Sequence, residues 1–407
     1  MRLAFALIML GALVLAGCAQ QDGQAGVPAS ATPQPPAGPE PGEGAGAAAQ
    51  QNDSPVVAAP EGGSPKIASW LAKKDEIIAS GKPYSLVMAG WFTPEEAAAI
   101  RSQNPDTILL AGLSANWVYE EEGWMGFLNA IANYGSAEPV EITEDMYLRK
   151  PDGGRCAFGW ASDEWGHAEI YAMDPRSREW AGMISNFYKN AYGQPQHDGI
   201  IVDMVTEASW CPDAISDAEW VGATKSLMDG IRAQDAQGKI AIFNAGRDIS
   251  QIDEYAEYMD GYVMENFLGE WGADYRAGLE AAEGDYIVVY AADTDDTGVK
   301  NLTRMRLGLT LSMLNDNTYF AYDFGPRDHG QAWWFPEYDA DLGAPLGAYY
   351  EKDGAYWREF ERGIVVSSPY ADVNVGFSGE YSDISSGSRG VEFVVEAGDG
   401  RIFEKVE

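Results

Sequence analysis

The stretch Gly199-Ile200-Ile201-Val202-Asp203 is an unbroken apolar run that ends on a carboxylate, and Gly261-Tyr262-Val263-Met264-Glu265 repeats the arrangement. A strand that is apolar at every position is buried on both faces, the condition of a parallel sheet covered by helices. The same texture marks Tyr84–Trp91, Thr107–Leu113, Gly199–Val205, Lys239–Ala245, Gly261–Phe267, Asp285–Ala291 and Thr318–Phe324. Helical stretches lie between them. Thr93–Ser102 has Pro94 in its first turn and Glu95 and Glu96 near the positive end of the helix dipole, and Asp174–Ala191, Ser216–Gln234 and Val299–Leu314 follow the pattern. An eighth strand, third in order, is assigned to Asp145–Lys150, with Arg155–Trp160 as the competing segment. This alternation predicts an α/β fold, a (β/α)8 TIM barrel over residues 66–362, in line with the usual barrel size of about 250 residues. A doubly wound open sheet is disfavoured because no glycine fingerprint follows the first strand. Tyr349–Arg362 is expected as the last helix. Gly363–Pro369, Val373–Ser378, Gly390–Glu396 and Arg401–Val406 then read as a small C-terminal antiparallel β appendage over 363–407. It reads as a packing cap, the alternative being a carbohydrate-binding edge.

Toward the other end, residues 1–17 have the layout of an export signal: Met-Arg, an apolar run from Leu3 to Leu15, then small residues before Cys18. That run is too short to span a bilayer stably. Leu15-Ala16-Gly17-Cys18 resembles the bacterial lipobox, which implies a lipoprotein signal peptide and a lipid on Cys18. Ala19 and Gln20 follow the cysteine, a pattern that resembles export to the outer membrane. Residues 18–65 are rich in Ala, Pro, Gly and Gln and read as a disordered linker, because such a segment cannot bury enough apolar area to offset its conformational entropy. An expected partner is therefore a membrane, through the N-terminal lipid. The net charge of −36 argues against a nucleic-acid partner. Three His and three Cys, widely spaced, make no zinc ribbon, C-x-x-C pair or H-E-x-x-H helix, and no cofactor is expected.

Chemistry must then come from carboxylates. In a (β/α)8 barrel the active site lies at the carboxyl ends of the strands, where this chain places Asp203 and Glu265 after fully apolar runs, with Asn244, Asn266, Asp293 and Asp323 at comparable positions. The nearby bases Arg247, Arg304, Arg306 and Arg327 are too few to make all of these acids structural. Aromatics thicken in the same loops: Trp91, Trp117, Trp210, Trp271, and the pair Trp333 and Trp334. Sugars stack their C–H faces on such rings and bind their hydroxyls to carboxylates and amides. Asn244, Asn266, Asp293, Asp323, Trp91, Trp117, Trp333 and Trp334 are the expected substrate-binding residues. Trp70, Trp180, Trp220 and Trp357 read as core residues at helical positions.

The blocks Asp198-Gly199-Ile200-Ile201-Val202-Asp203, Met264-Glu265-Asn266-Phe267, Tyr322-Asp323-Phe324-Gly325 and Trp357-Arg358-Glu359-Phe360-Glu361-Arg362-Gly363 resemble the hypothetical glycosyl hydrolase family 15. That family is similar in turn to the polygalactosaminidase and α-galactosidase group of TIM barrels. The resemblance implies a glycoside hydrolase with carboxylates at the ends of strands four and six, here Asp203 as nucleophile or water-activating base and Glu265 as general acid. The second acid in those relatives is often Asp where this chain has Glu. The competing class is a non-catalytic glycan-binding surface lipoprotein. Gly112-Leu113-Ser114-Ala115-Asn116 fails as a nucleophile elbow at its last position. Asp293-Thr294-Asp295-Asp296 lacks the spacing of a calcium loop. The acidic excess argues against polyuronate substrates and for neutral or amino-sugar polymers. An exported chain with Cys18 lipidated leaves Cys156 and Cys211, in neighbouring loops, as a candidate disulfide, the alternative being two separate thiols.

Overall fold

The computed structural model describes residues 63–120, 122–136, 139–158, 169–246, 254–269, 275–282, 284 and 286–406. The export signal, Cys18, Trp160, His167, Arg247 and Trp271 lie outside the described residues. Among the described residues no helix is long and apolar enough to cross a membrane.

Strands β1 (Ala68–Ser69), β2 (Leu86–Ala89) and β3 (Ile108–Ser114) precede an insertion that carries β4 (Trp117–Tyr119), β5 (Ala157–Phe158) and β6 (Ile170–Ala172). After it come β7 (Gly199–Asp203), β8 (Ile240–Asn244), β9 (Gly261–Glu265), β10 (Ile287–Asp293) and β11 (Thr318–Asp323). The 8-stranded parallel sheet runs β1-β2-β3-β7-β8-β9-β10-β11. A parallel bridge between Ile67 and Phe320 brings its two edges together, with the Phe320 amide donating to the Lys66 carbonyl at 2.9 Å. This is a (β/α)8 barrel. At Gly112 a side chain would strike the Ile201 carbonyl on the neighbouring strand, so glycine is what lets β3 and β7 approach.

The strand count holds, but its membership differs from the expectation. Asp145–Lys150 is not a barrel strand: a 3-10 turn covers Glu144–Met146, and Tyr147 and Arg149 then make single antiparallel bridges to Met173 and Arg155. The competing segment contributes Ala157–Phe158 to a separate antiparallel sheet ordered β4-β6-β5. The missing strand is β1, whose two residues are too few to show any periodicity. Tyr84–Trp91 and Thr107–Leu113 thus become the second and third barrel strands, and the fourth through eighth keep their places.

Helix α2 (Pro94–Arg101), after α1 (Lys74–Ser80), starts as its sequence dictates: the Thr93 hydroxyl accepts from the Glu96 amide, the Glu96 side chain returns the bond, and Pro94 fills the first turn. Trp180 and Trp220 are buried on the helices after β6 and β7, Arg178–Tyr192 and Asp217–Arg232, as expected.

Tyr349–Arg362 is not a helix. It forms the hairpin β12 (Tyr350–Lys352) and β13 (Ala355–Phe360). The two turn residues, Asp353 (φ 55°) and Gly354 (φ 82°), are both left-handed, the geometry an Asp-Gly pair gives a two-residue β-turn. Trp357 is accordingly a buried strand residue. The hairpin joins β14 (Gly363–Ser368), β15 (Val373–Asp383), β16 (Arg389–Val395) and β17 (Asp399–Lys405) in a 6-stranded sheet ordered β12-β13-β14-β17-β15-β16. This sheet packs on the helix Leu302–Ser312 of the barrel. Ser367 donates to the Thr310 hydroxyl at 2.7 Å, and Arg306 holds Asp399 through two bonds of 2.8 and 2.7 Å.

Candidate active site

Alternation along a strand decides which side chains face the barrel axis. Ala68, Ile201, Ile242, Val263, Ala291 and Ala321 belong to the cluster that fills the interior. Two residues further along, the same side of each strand carries Trp70, Asp203, Asn244, Glu265, Asp293 and Asp323. The apolar filling therefore ends in a polar layer at the carboxyl mouth.

Asn244 is the hinge of that layer. Its Nδ2 donates to Asp203 Oδ1 at 2.9 Å and to Glu265 Oε2 at 2.7 Å. The Gly246 amide donates to its Oδ1 at 2.8 Å, which fixes the amide orientation. Asp203 Oδ1 also accepts from the Met204 amide at 2.8 Å, so these bonds leave its Oδ2 unused. Met204 (φ 54°) and Asn266 (φ 53°) follow the two acids, and both are left-handed, a conformation that costs a non-glycine residue about 1–3 kcal/mol and clusters at functional sites.

Across the mouth, His329 Nδ1 lies 3.1 Å from Asp323 Oδ2, and its Nε2 lies 2.9 Å from Glu265 Oε1. The Gly330 amide donates to Asp323 Oδ2 at 2.9 Å. The His329 ring meets Trp70 edge-on, with centroids 6.1 Å apart. The Trp70 indole N–H faces Glu265 closely enough to stabilise its charge, without reaching full hydrogen-bond geometry.

Enclosure in the mouth and the neighbouring Glu265 push the Asp203 carboxyl up to about 6. Burial also raises Glu265, but hydrogen bonds and charge from His329, with the Asn244 and Trp70 donors, outweigh it and hold Glu265 below its ordinary value. Burial disfavours charge on His329, yet Asp323 and Glu265 on its two nitrogens raise it well above the usual imidazole value. Asp293 is pushed up to about 7 by burial first, then by Asp295 and Asp323. The remaining acids of that loop meet cations: Arg304 lies 2.6 Å from Asp295, and Arg327 lies 3.7 Å from Asp296.

The structure brings together Asp203, Asn244, Glu265, Asp293 and Asp323. Of the expected aromatic side chains, Trp91, Trp117 and Trp334 fall elsewhere. Trp91, expected in the cleft, packs edge-on against His197 at 4.6 Å and Phe187 at 6.3 Å in the layer between strands and helices. Trp117, also expected there, is fully buried beneath Trp210 and Trp220, at 5.1 and 6.1 Å. Trp210 keeps 48% of its surface exposed. Trp334 packs against Tyr84 and Tyr338 and donates to Asp339 at 2.8 Å, so it is a packing residue. Trp333 lies against Tyr322 under the Lys300 ammonium and lines a narrow crevice with Trp70, Asp323 and Gln331. Apolar rings next to one another in loops found each other before they found the mouth. Asn266 places its Oδ1 in a buried position without a hydrogen-bond partner.

Two residues of the mouth escape a reading of the sequence. Trp70, read as a helical core residue, follows β1 and forms part of the floor. His329 sits six residues beyond Asp323 in the loop after β11. Beside the site, Cys156 and Cys211 are joined in a disulfide with Cα atoms 6.2 Å apart. It ties the insertion to the loop after β7.

The fold and site define a barrel with carboxylates at its mouth, and the sequence places it in a family. The profile of the hypothetical glycosyl hydrolase family 15 matches residues 104–364, more than half of the chain, and the chain belongs to that family. No curated protein sequence matches it. Solved structures similar to it include the glycoside hydrolase domain of PelA from Pseudomonas aeruginosa, at 13% identity and TM-score 0.43 over 65% of this chain and 96% of that one. An α-amylase from Malbranchea cinnamomea is similar at 10% identity and TM-score 0.46 over 81% and 87%. Ega3 of Aspergillus fumigatus, in complex with galactosamine, is similar at 10% and 0.42 over 69% and 98%.

Proposed function

We propose that this chain is a retaining glycoside hydrolase in which Asp203 attacks the anomeric carbon and Glu265 protonates the departing oxygen. One observation carries the reading: a single amide nitrogen, Asn244 Nδ2, is bonded to both carboxylates at 2.9 and 2.7 Å. The two bonded oxygens can be no further apart than those bonds laid end to end. Two carboxyl groups that share one donor are held close together, which supports the roughly 5–5.5 Å of a retaining pair over the roughly 6.5–9.5 Å with which an inverting pair admits a water. An Asp203 carboxyl near 6 is mostly ionised at neutral pH and keeps Oδ2 open for attack. Attack forms a bond from Oδ2 to the anomeric carbon, and the leaving oxygen departs with a proton. Water, losing a proton to Glu265, then releases the sugar.

Four carboxyl groups around one imidazole support a neutral or amino-sugar polymer as substrate, since a polyuronate would meet like charge. Lipid attachment at Cys18 and display at the outer membrane remain part of the proposal, and a Cys18→Ser variant that still carried lipid by mass spectrometry would contradict it. The function is tested by product analysis on neutral, amino-sugar and uronate polymers, with anomer assignment by NMR. Asp203→Ala should lose about 10³-fold or more in kcat, and azide should restore turnover with a glycosyl azide product. Azide rescue of Glu265→Ala to an azide of the same anomer would exchange the two roles. Undiminished glycan affinity without product in the wild type would favour a binding protein.

A further inference from the structure

Protonating a leaving oxygen requires a proton on Glu265, yet the resting geometry favours Glu265 as a carboxylate. The mouth does hold a proton one hydrogen bond away. His329 is almost enclosed, with 8% of its side chain exposed, and each ring nitrogen faces one carboxylate: Asp323 at 3.1 Å and Glu265 at 2.9 Å. Between two ionised carboxylates an imidazole donates through both nitrogens and is the cation. Asp323 is fixed in turn by the Gly330 amide, and Trp70 borders the ring.

We infer that His329, oriented by Asp323, is the positioning residue that stores the proton Glu265 delivers to the leaving group. The inference rests on the retaining reading above. In the first half-reaction the proton passes from His329 Nε2 to Glu265 and from Glu265 to the oxygen whose bond to the anomeric carbon breaks. That oxygen keeps the bonding electron pair and leaves as a hydroxyl. In the second half-reaction Glu265 removes a proton from the attacking water and returns it to His329, so the site ends with the proton it began with. Asp293 and Asp203 also face the imidazole charge across the mouth and supply weaker attraction than its two bonded partners. Glu265 remains the catalytic acid, and His329 acts through it.

The proton's residence is tested without any substrate. The chain has only three histidines, and His329→Gln identifies the signal of His329 in an NMR titration of the histidine-labelled protein. His197 is set apart because burial lowers its titration. The wild-type His329 signal should titrate at least about one pH unit above a free imidazole, and Glu265→Gln should lower that midpoint by about one unit or more. A midpoint near 6.5, or one that Glu265→Gln leaves in place, overturns the inference whether or not the protein proves to be a hydrolase. The second arm uses the glycan that the wild type cleaves. His329→Gln should move the alkaline limb of kcat to lower pH and cost about 10²-fold or more for an alkyl leaving group. The same glycone carrying a dinitrophenyl group, which leaves without a proton, should lose less than about fivefold. Equal losses on both would make His329 a structural residue only. Failure of the wild type to cleave any glycan would count against the retaining reading, while the titration still decides the pair.

Discussion

Asp203 shows how a single enclosed residue lowers stability. Its carboxyl is harder to ionise folded than unfolded, so between about pH 4 and 6 the folded chain binds the extra proton. Stability therefore falls as pH rises through that window and stays lower above it. Asp203→Asn removes this cost. It should raise the thermal midpoint at pH 8, by on the order of 2 kcal/mol of stability, and leave it unchanged below pH 4, while abolishing turnover. Melts recorded across pH check this, and an equal gain at pH 3 and pH 8 would contradict it. Asp203 and Glu265 could be read from the sequence because each ends an apolar run. His329 could not, because its place depends on how the loop after β11 folds back over the mouth, which no local pattern encodes.

At the scale of elements, legibility followed length and turn chemistry. Long apolar runs such as Gly199–Asp203 and Ile287–Asp293 carry their own signature of burial on both faces. Ala68–Ser69 is held by its neighbours alone, and a two-residue strand has no period to detect. The aromatic and charged residues of Tyr349–Arg362 suit a helix as well as a strand. The Asp353-Gly354 pair is what breaks it into a hairpin. The insertion between β3 and β7 carries the helix Glu122–Ala132 and the sheet β4-β6-β5, and a small apolar cluster joins its Trp117 and Ile170 to Trp220 of the helix after β7 and includes both bridged cysteines. Reduction of Cys156–Cys211 should thus cost about 2–4 kcal/mol. It should show as a lower urea midpoint in reductant, and a Cys156→Ser/Cys211→Ser double variant should be insensitive to reductant at that lower midpoint. A double variant as stable as the oxidised chain would deny the bridge any structural weight.

At the scale of the whole molecule, 63 acidic residues against 27 basic ones leave few cations to spend, so where a basic side chain is buried is informative. Arg306, on the helix Leu302–Ser312, reaches out of the barrel to Asp399 of the antiparallel sheet, and Asp399 is 1% exposed. Arg401 adds a second contact to the same carboxylate at 2.9 Å. Asp399 cannot shed its charge into water without the sheet lifting from the barrel. Removing one partner of a buried pair typically costs about 3–5 kcal/mol, because the other charge is left enclosed. Here the remaining Arg401 contact should keep the loss from Arg306→Ala near the lower end, about 3 kcal/mol. Since the same face also joins Ser367 to Thr310, barrel and sheet should unfold together. Calorimetry of Arg306→Ala should show one transition at lower temperature with the wild-type ratio of calorimetric to van't Hoff enthalpy. A separate early transition carrying the enthalpy of some 50 residues would instead make the sheet an independent domain.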